Sequence, residues 1–299
     1  MITAVTGSTG LIGTALVESL EADGHFVRRV VRTSPRTGQH EISWNPSAGT
    51  IDAAGLAGVD SVVHLAGAGI AAKRWSDAYK AEIRDSRIHG TELLSATLAH
   101  MEQKPSVLVS TSAVGYYGDR GDELLDESSP PGNGFLAEVC KDWEAATTPA
   151  RDAGIRVVNL RIGVVLDPKG GALSQMLTPF KLGAGGVLGS GRQYISWITL
   201  ADIVRVIQFC LASSAISGPV NGVAPEPVTN REFTKALGRV LRRPTMFPMP
   251  AFAARMAFGE MADEMLLGGS RVQPRVLTSA GFPFNHPALE PALRHMLSD

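Results

Sequence analysis

The chain has 299 residues, 28 of them basic and 29 acidic, for a formal net charge of −1. That length buries a large core and leaves one or two domains open. Balanced charge without a long run of either sign argues against nucleic acid and anionic membrane as partners and directs attention to a small-molecule substrate. Cys140 and Cys210 lie in apolar stretches at a separation matching no metal motif, so neither a disulfide framework nor a zinc site is expected. No apolar run reaches the roughly 18 residues of a membrane span and no leader-like segment opens the sequence, so a soluble, unprocessed, cytoplasmic protein is expected.

The first β run, Ile2–Val5, opens into Thr6-Gly7-Ser8-Thr9-Gly10-Leu11-Ile12-Gly13 and then the amphipathic Leu11–Ala22. Gly7 permits a tight turn, Gly10 lets backbone amides approach a pyrophosphate, and Gly13 lets the new helix pack on the strand. The helix start faces an anion with free amides and partial positive charge. The spacing therefore predicts a dinucleotide held by Gly7, Thr9, Gly10, Leu11, Ile12 and Gly13.

The second strand, Val27–Val31, ends in Arg32-Thr33-Ser34 with Arg36 close behind. A site that prefers NAD carries an acid about 20 residues beyond the glycines, bonded to the ribose 2′-hydroxyl. None stands here, and Arg32, Thr33 and Arg36 suit a 2′-phosphate instead, which favours NADP(H) over NAD(H). The other reading, solvated loop charges, stays open.

Ile51-Asp52 and the run from Asp60 to Gly67 are expected to carry the third and fourth strands. The turn His64-Leu65-Ala66-Gly67 would admit backbone to the adenosine half of the ligand. His64 has no partner at metal spacing and reads as a structural residue at the strand end. Helices Ala78–His100 and Leu136–Ala153, the latter stopped by Gly154, alternate with strands Ser106–Val109 and Val157–Leu160. Such alternation is the signature of right-handed βαβ units in a parallel sheet.

After Arg161 come Asp167-Pro168-Lys169-Gly170-Gly171, a short helix around Leu173–Phe180 and the glycine-rich 183–191. Strands Ser196–Ile198 and Pro219–Val223, with helix Leu200–Ala212 between them, return the chain to the sheet. Beyond Pro225, proline-punctuated helices carry Met246, Met249, Met256, Met261 and Met265, read as adaptable core. The expected architecture is α/β: a Rossmann-type doubly wound parallel sheet with a smaller, interleaved C-terminal substrate cap. Residues 1–165 and 196–224 would bind the dinucleotide, and 166–195 and 225–299 would form the cap.

These motifs, with Ser110-Thr111-Ser112-Ala113-Val114-Gly115-Tyr116-Tyr117-Gly118, Cys140-Lys141-Asp142-Trp143-Glu144, Gly189–Ile198, Asn221–Asn230 and Gly281-Phe282-Pro283-Phe284, resemble the extended short-chain dehydrogenase/reductase superfamily. The closer likeness is to its atypical branch of NAD-dependent epimerase/dehydratase-like, or sugar nucleotide epimerase family, proteins. The resemblance implies a serine, a tyrosine and a lysine around the nicotinamide, the lysine helping a phenol of pKa near 10 to ionise. Ser112 matches the serine. With Lys141 on the family lysine the tyrosine position falls on Ala137, and with Glu144 as anchor the pair becomes Leu136 and Cys140. Neither placement recovers the tyrosine.

Tyr116 is the nearest phenol, so Ser112, Tyr116 and Lys141 form the candidate catalytic set, against a packing role for both Tyr116 and Tyr117. The asparagine common after the arginine strand in nucleotide-sugar enzymes is absent. Ile195 occupies the position of a diphosphate-binding arginine, with Arg192 nearby as a substitute. Tyr117, Arg192 and Trp197 are candidate substrate residues, Trp197 alternatively filling the junction of sheet and cap. Two functions remain: an NADP(H)-dependent oxidoreductase or epimerase acting on a small carbonyl, hydroxyl or sugar-type metabolite, and a non-catalytic NADP(H) sensor. Pairing through long helices into a homodimer is a further implication of the resemblance.

Overall fold

The computed structural model of the chain describes residues 1–36 and 40–298. The first part runs β1 (Ile2–Thr6), α1 (Leu11–Ala22), β2 (Phe26–Val31), β3 (Glu41–Asn45), β4 (Thr50–Ile51) and β5 (Ser61–His64). It continues through α2 (Asp77–His100), β6 (Val107–Ala113), β7 (Leu124–Leu125), α3 (Phe135–Ala145), α4 (Thr148–Asp152), β8 (Arg156–Ile162) and β9 (Val164–Asp167). Then follow α5 (Gly171–Lys181), β10 (Tyr194–Ile195), β11 (Trp197–Thr199), α6 (Leu200–Ala212), β12 (Gly218–Gly222) and β13 (Val228–Thr229). The last part holds α7 (Asn230–Leu241), α8 (Ala251–Phe258), β14 (Arg271–Val272), α9 (Arg275–Ser279) and α10 (Leu289–Leu297).

Eight strands form one sheet in the order β12-β8-β6-β5-β1-β2-β3-β4, parallel except for the final β3–β4 pair. The winding reverses between β1 and β5, and such a reversal opens a crevice beyond the carboxyl ends of the strands. Strand alternation explains the two covered faces. Val5, Val63, Val109 and Val158 point to the side packed by Leu16, Val17 and Leu20 of α1 and by Ile203, Val206 and Ile207 of α6. Their neighbours Ala4, Val62, Leu108 and Val157 point the other way, against Leu94 and Leu98 of α2 and Ala150 of α4. Each fully buried Val or Leu contributes about 1.5–3 kcal/mol, so both helical layers are held chiefly by apolar burial.

Several boundaries differ from the sequence reading. The third strand is Glu41–Asn45, while Ile51 belongs to the short antiparallel β4. The helix expected over 136–153 breaks after Ala145 and restarts at Thr148, where Pro149, lacking an N–H, is tolerated in a first turn. The strand expected at 196–198 is β11, which pairs with β9 outside the main sheet. A third apolar cluster joins Leu173, Leu177 and Phe180 of α5 to Phe233 and Leu237 of α7 and Leu293 of α10. Leu277 and Phe282, within the range read as cap, pack into the sheet's own core, and Asp299 lies outside the described residues. The methionines are the clearest correction: Met261 is buried, but Met246 and Met256 stand in solvent and Met249 and Met265 are more than one-third exposed. Proline-broken segments turn them outward.

Beneath the crevice a buried polar chain ties the strand ends to both outer helices. His64 Nδ1 lies 2.8 Å from Thr6 Oγ1, which itself accepts the Leu65 and Ala66 amides. His64 Nε2 lies 3.0 Å from Thr91 Oγ1 on α2, and the Trp143 indole N–H of α3 donates to the same oxygen. Since Thr91 gives its own proton to Arg87 O, it accepts from Nε2–H, and Nδ1 accepts from Thr6. The imidazole is therefore neutral, and burial pushes its pKa down to about 4.

The unfolded chain binds this proton below about pH 6.5 and the native protein only near pH 4, so stability falls as the pH drops through that window. The expected loss is on the order of 3 kcal/mol, measured by urea unfolding from pH 7.5 to 4. His64→Asn should be less stable at pH 7.5 and should lack this component; an unchanged acid slope in the variant would remove His64 as its source.

Candidate functional site

Between β1 and α1 the chain leaves an anion-sized opening. Gly7 has φ +64°, and a Cβ there would lie 2.8 Å from the Leu65 carbonyl, while one on Gly13 would overlap Gly7 O. Over Gly10 the only neighbour within 4 Å of such an atom is Gly7 O at 3.3 Å, so the space is open. The start of α1 has neither a side-chain cap nor an acid in its first turn, and the Leu11 and Ile12 amides have no acceptor among the described residues. Uncapped amides and the positive end of a helix fit a phosphate. Thr9 stands exposed beside them, and Leu65, Ala66 and Gly67 line the adjoining turn. His64 is enclosed, and its side chain is linked to that turn through Thr6.

At the end of β2, Arg32 and Thr33 are exposed two and three residues beyond Val30, which pairs with Thr6. No acidic side chain lies between Val31 and Arg36. Arg36 is not waiting for a ligand: its Nε and terminal N–H groups donate to Glu41 at 3.0 and 2.6 Å. The arginine side of the pair is exposed and the glutamate side chain nearly enclosed, so an anion would have to compete with Glu41 for the guanidinium.

Three strands place a polar row at the carboxyl edge of the sheet. Register aligns Ser112 of β6 with Arg161 of β8, and Arg161 with Asn221 of β12. Arg161 donates to both oxygens of Glu144 on α3, at 2.7 and 2.9 Å, and to the Tyr117 hydroxyl at 2.9 Å. Ser112 donates to Glu144 Oε1 at 2.8 Å, and Tyr117 donates to Asn221 Oδ1 at 2.7 Å. The Tyr116 ring covers the guanidinium, 3.5 Å from centroid to carbon. Burial opposes the charge on Arg161, but the bonds and charge of Glu144 outweigh it and raise its pKa. Burial pushes the Tyr117 phenol up to about 12, so at neutral pH it is a proton donor within the network and not a base.

Ser112, Tyr116 and Tyr117 thus come together around Arg161, while the other candidates do not. Lys141 is exposed on the outer face of α3. The positions facing the turn after Ser112 are Leu136 and Cys140: a Cβ on Gly115 would meet Leu136 Cβ at 3.3 Å and Cys140 Sγ at 3.8 Å. Burial pushes the Cys140 thiol up to about 11, which keeps it protonated. Trp197 is fully enclosed, donating to Glu226 O at 2.9 Å, the packing placement at the junction of sheet and cap. Arg192 is exposed on the loop before β10. Glu144 as a charge partner, Arg161 and Asn221 escaped the sequence reading, because their proximity is a property of strand register. The carboxylate of Glu264, just beyond α8, accepts the Phe135 and Leu136 amides at 3.3 Å and so couples this late segment to the start of α3. Among the described residues no group of three His, Cys, Asp or Glu side chains could hold a metal, and no helix is long and apolar enough to cross a membrane.

Comparison with known proteins accords with this geometry. Residues 3–221 match the model of the NAD dependent epimerase/dehydratase family, and residues 249–296 match a domain of unknown function, DUF1731. The epimerase family protein Mb2239 of Mycobacterium bovis is 51% identical over 292 residues, covering 98% of this chain and 96% of its own. The crystal structure of the human epimerase family protein SDR39U1, isoform 2, with NADPH superposes with a TM-score of 0.91 at 35% identity over the whole of both chains. A nucleoside-diphosphate sugar epimerase from Corynebacterium glutamicum gives 0.82 at 37% identity, with 99% of this chain covering 58% of that one. The fold, the glycine turn and these relatives place the chain in the NAD dependent epimerase/dehydratase family.

Proposed function

We propose that the protein binds NADP(H) in preference to NAD(H) and acts as an oxidoreductase or epimerase on a small carbonyl, hydroxyl or sugar-type metabolite. The observation that carries this reading is the uncapped start of α1 beside an exposed Arg32, with no carboxylate to receive a ribose 2′-hydroxyl. The relative crystallised with NADPH supports it. Gly7, Thr9, Gly10, Leu11, Ile12 and Gly13 would hold the pyrophosphate, Arg32, Thr33 and a released Arg36 the 2′-phosphate, and Leu65, Ala66 and Gly67 the adenosine side.

Bound NADP(H) would supply or accept a hydride at its nicotinamide. The chain's own part is proton handling. Ser112 gives its hydrogen to Glu144, which leaves its lone pairs to receive a substrate hydroxyl, and Arg161 holds Glu144 in place. Tyr116, on the same turn, offers a phenol to the same side. Residues 1–165 and 196–224 form the coenzyme unit in this reading, and 166–195 with 225–299 the substrate cap. Buried thiols at Cys140 and Cys210 suit a reducing compartment such as the cytoplasm. The second reading, a coenzyme sensor without turnover, is favoured by one feature: α3 carries no tyrosine, and Leu136 and Cys140 meet the turn after Ser112.

NADPH should bind at least about tenfold more tightly than NADH in fluorescence titration, and Arg32→Ala should remove most of that preference, since one charged hydrogen bond is worth about 1.5–3 kcal/mol. Equal affinities in the native protein would overturn the coenzyme assignment. With NADPH and a panel of small carbonyl compounds, Ser112→Ala should lower turnover about a hundredfold while leaving the NADPH Kd unchanged. Tight NADPH binding without turnover across the panel would favour the sensor instead.

A further inference from the structure

The methionine-rich stretch has an outer face that nothing in the fold covers. Met246, Phe247, Phe252 and Met256 are 75, 64, 66 and 73% exposed, and Leu182, following α5, is 79% exposed. They belong to one region of surface. Gly183 lies against Pro244, and Met249 exchanges backbone hydrogen bonds of 2.9 Å with Val187 and Gly189. Phe252 and Met256 stand one turn apart on the same side of α8. Adjacent large apolar side chains rimmed by charge mark a contact surface.

The rim is cationic on its α7 side, while Glu260, Asp263 and Glu264 follow α8. From Arg231 to Phe258 the chain carries Arg231, Lys235, Arg239, Arg242, Arg243 and Arg255 against the single acid Glu232, in a protein whose net charge is −1. Glu290 holds Arg239, Asp263 holds Arg255, and Arg231 donates to Ser190 O. Among the described residues no carboxylate stands within ion-pair distance of Lys235, Arg242 or Arg243. These three, with Arg239, Pro244 and Thr245, line an open concavity of about 350 Å³ next to Met246 in the chain. Arg242 has φ 53°, a left-handed conformation that glycine adopts at lower cost. The end of α7 favours cations in its last turn, but that accounts neither for Arg243 nor for the apolar row beside it.

We propose that this face of the cap docks the protein on an anionic lipid bilayer. Phe247, Phe252 and Met256 would enter the boundary between headgroups and acyl chains, while Lys235, Arg242 and Arg243 meet lipid phosphates. Large apolar side chains beside cations without an acidic partner suit the boundary of an anionic bilayer, charged above and apolar below. The attachment is peripheral and does not depend on the coenzyme.

The test is flotation of the full chain with phosphatidylcholine vesicles and with vesicles that also contain phosphatidylglycerol. Binding should be at least about tenfold tighter to the anionic vesicles and should weaken with salt. Arg242→Gly combined with Arg243→Gln should reduce it about tenfold or more without lowering Tm, because glycine relieves the left-handed backbone. Phe247→Ser with Phe252→Ser should reduce it comparably, again with Tm retained. Equal binding to neutral vesicles, or unchanged binding by both stably folded variants, would overturn the proposal. So would a protein that ignores vesicles and instead self-associates, with the Phe247→Ser/Phe252→Ser variant monomeric, which would assign the face to a second copy.

Discussion

A guanidinium enclosed between three strand ends must be met by opposite charge, and the polar row is built around that requirement at Arg161. Burying an ion costs several kcal/mol unless opposite charge and hydrogen bonds offset it. Glu144 takes two donors, Tyr117 takes a third and Tyr116 covers the flat face. Because one carboxylate oxygen is shared with Ser112, satisfying the arginine also orients the serine. Because Tyr117 passes the network on to Asn221, the same charge fixes β12 against the turn after β6. The strand edge, α3 and that turn are therefore positioned together.

This arrangement changes what α3 is for. The superfamily pattern puts a tyrosine and a lysine on this helix; the side of α3 that meets the turn after Ser112 here carries Leu136 and Cys140, and Glu144, one turn further, reaches the serine. In place of a phenol beside an ammonium, the strand edge holds a hydroxyl beside a carboxylate fixed by arginine. Under the proposed function, Ser112 and Glu144 would take the proton-handling part that the superfamily pattern gives to the tyrosine. The Glu264 carboxylate at the opening of α3 shows that a late segment of the chain also acts on this helix.

Whatever depends on local pattern could be read from the residues. The glycine turn, the alternation in β1, β5 and β8 and the apolar stripe of α1 each encode their environment within a few residues, and these give the doubly wound sheet and the crevice. The third strand did not announce itself, because Glu41–Asn45 is short and carries a charge that only its partner Arg36 explains. Lys141 misled for a related reason: a sequence motif supplies spacing, but helix phase decides which of two adjacent residues points inward, and here it is Cys140. The row of Ser112, Arg161 and Asn221 spans about a hundred residues of chain. Only strand register makes it visible.

A whole-chain charge is an average, and the excess of cations between Arg231 and Phe258 is cancelled in it by acids placed elsewhere. Electrostatic attraction to a surface is set within a Debye length of about 8–10 Å, far less than the width of a protein this size. A net charge near zero therefore argues against an extended basic face but is silent on a patch the size of one helix and its loop. The same averaging hides the methionines, which composition counts as apolar whether they point inward or out. Proline at 244, 248 and 250 keeps this segment from continuing α7 and limits its pairing to the single bridge between Met249 and Leu188, so most of its large side chains stay exposed. Local charge and interrupted structure coincide there.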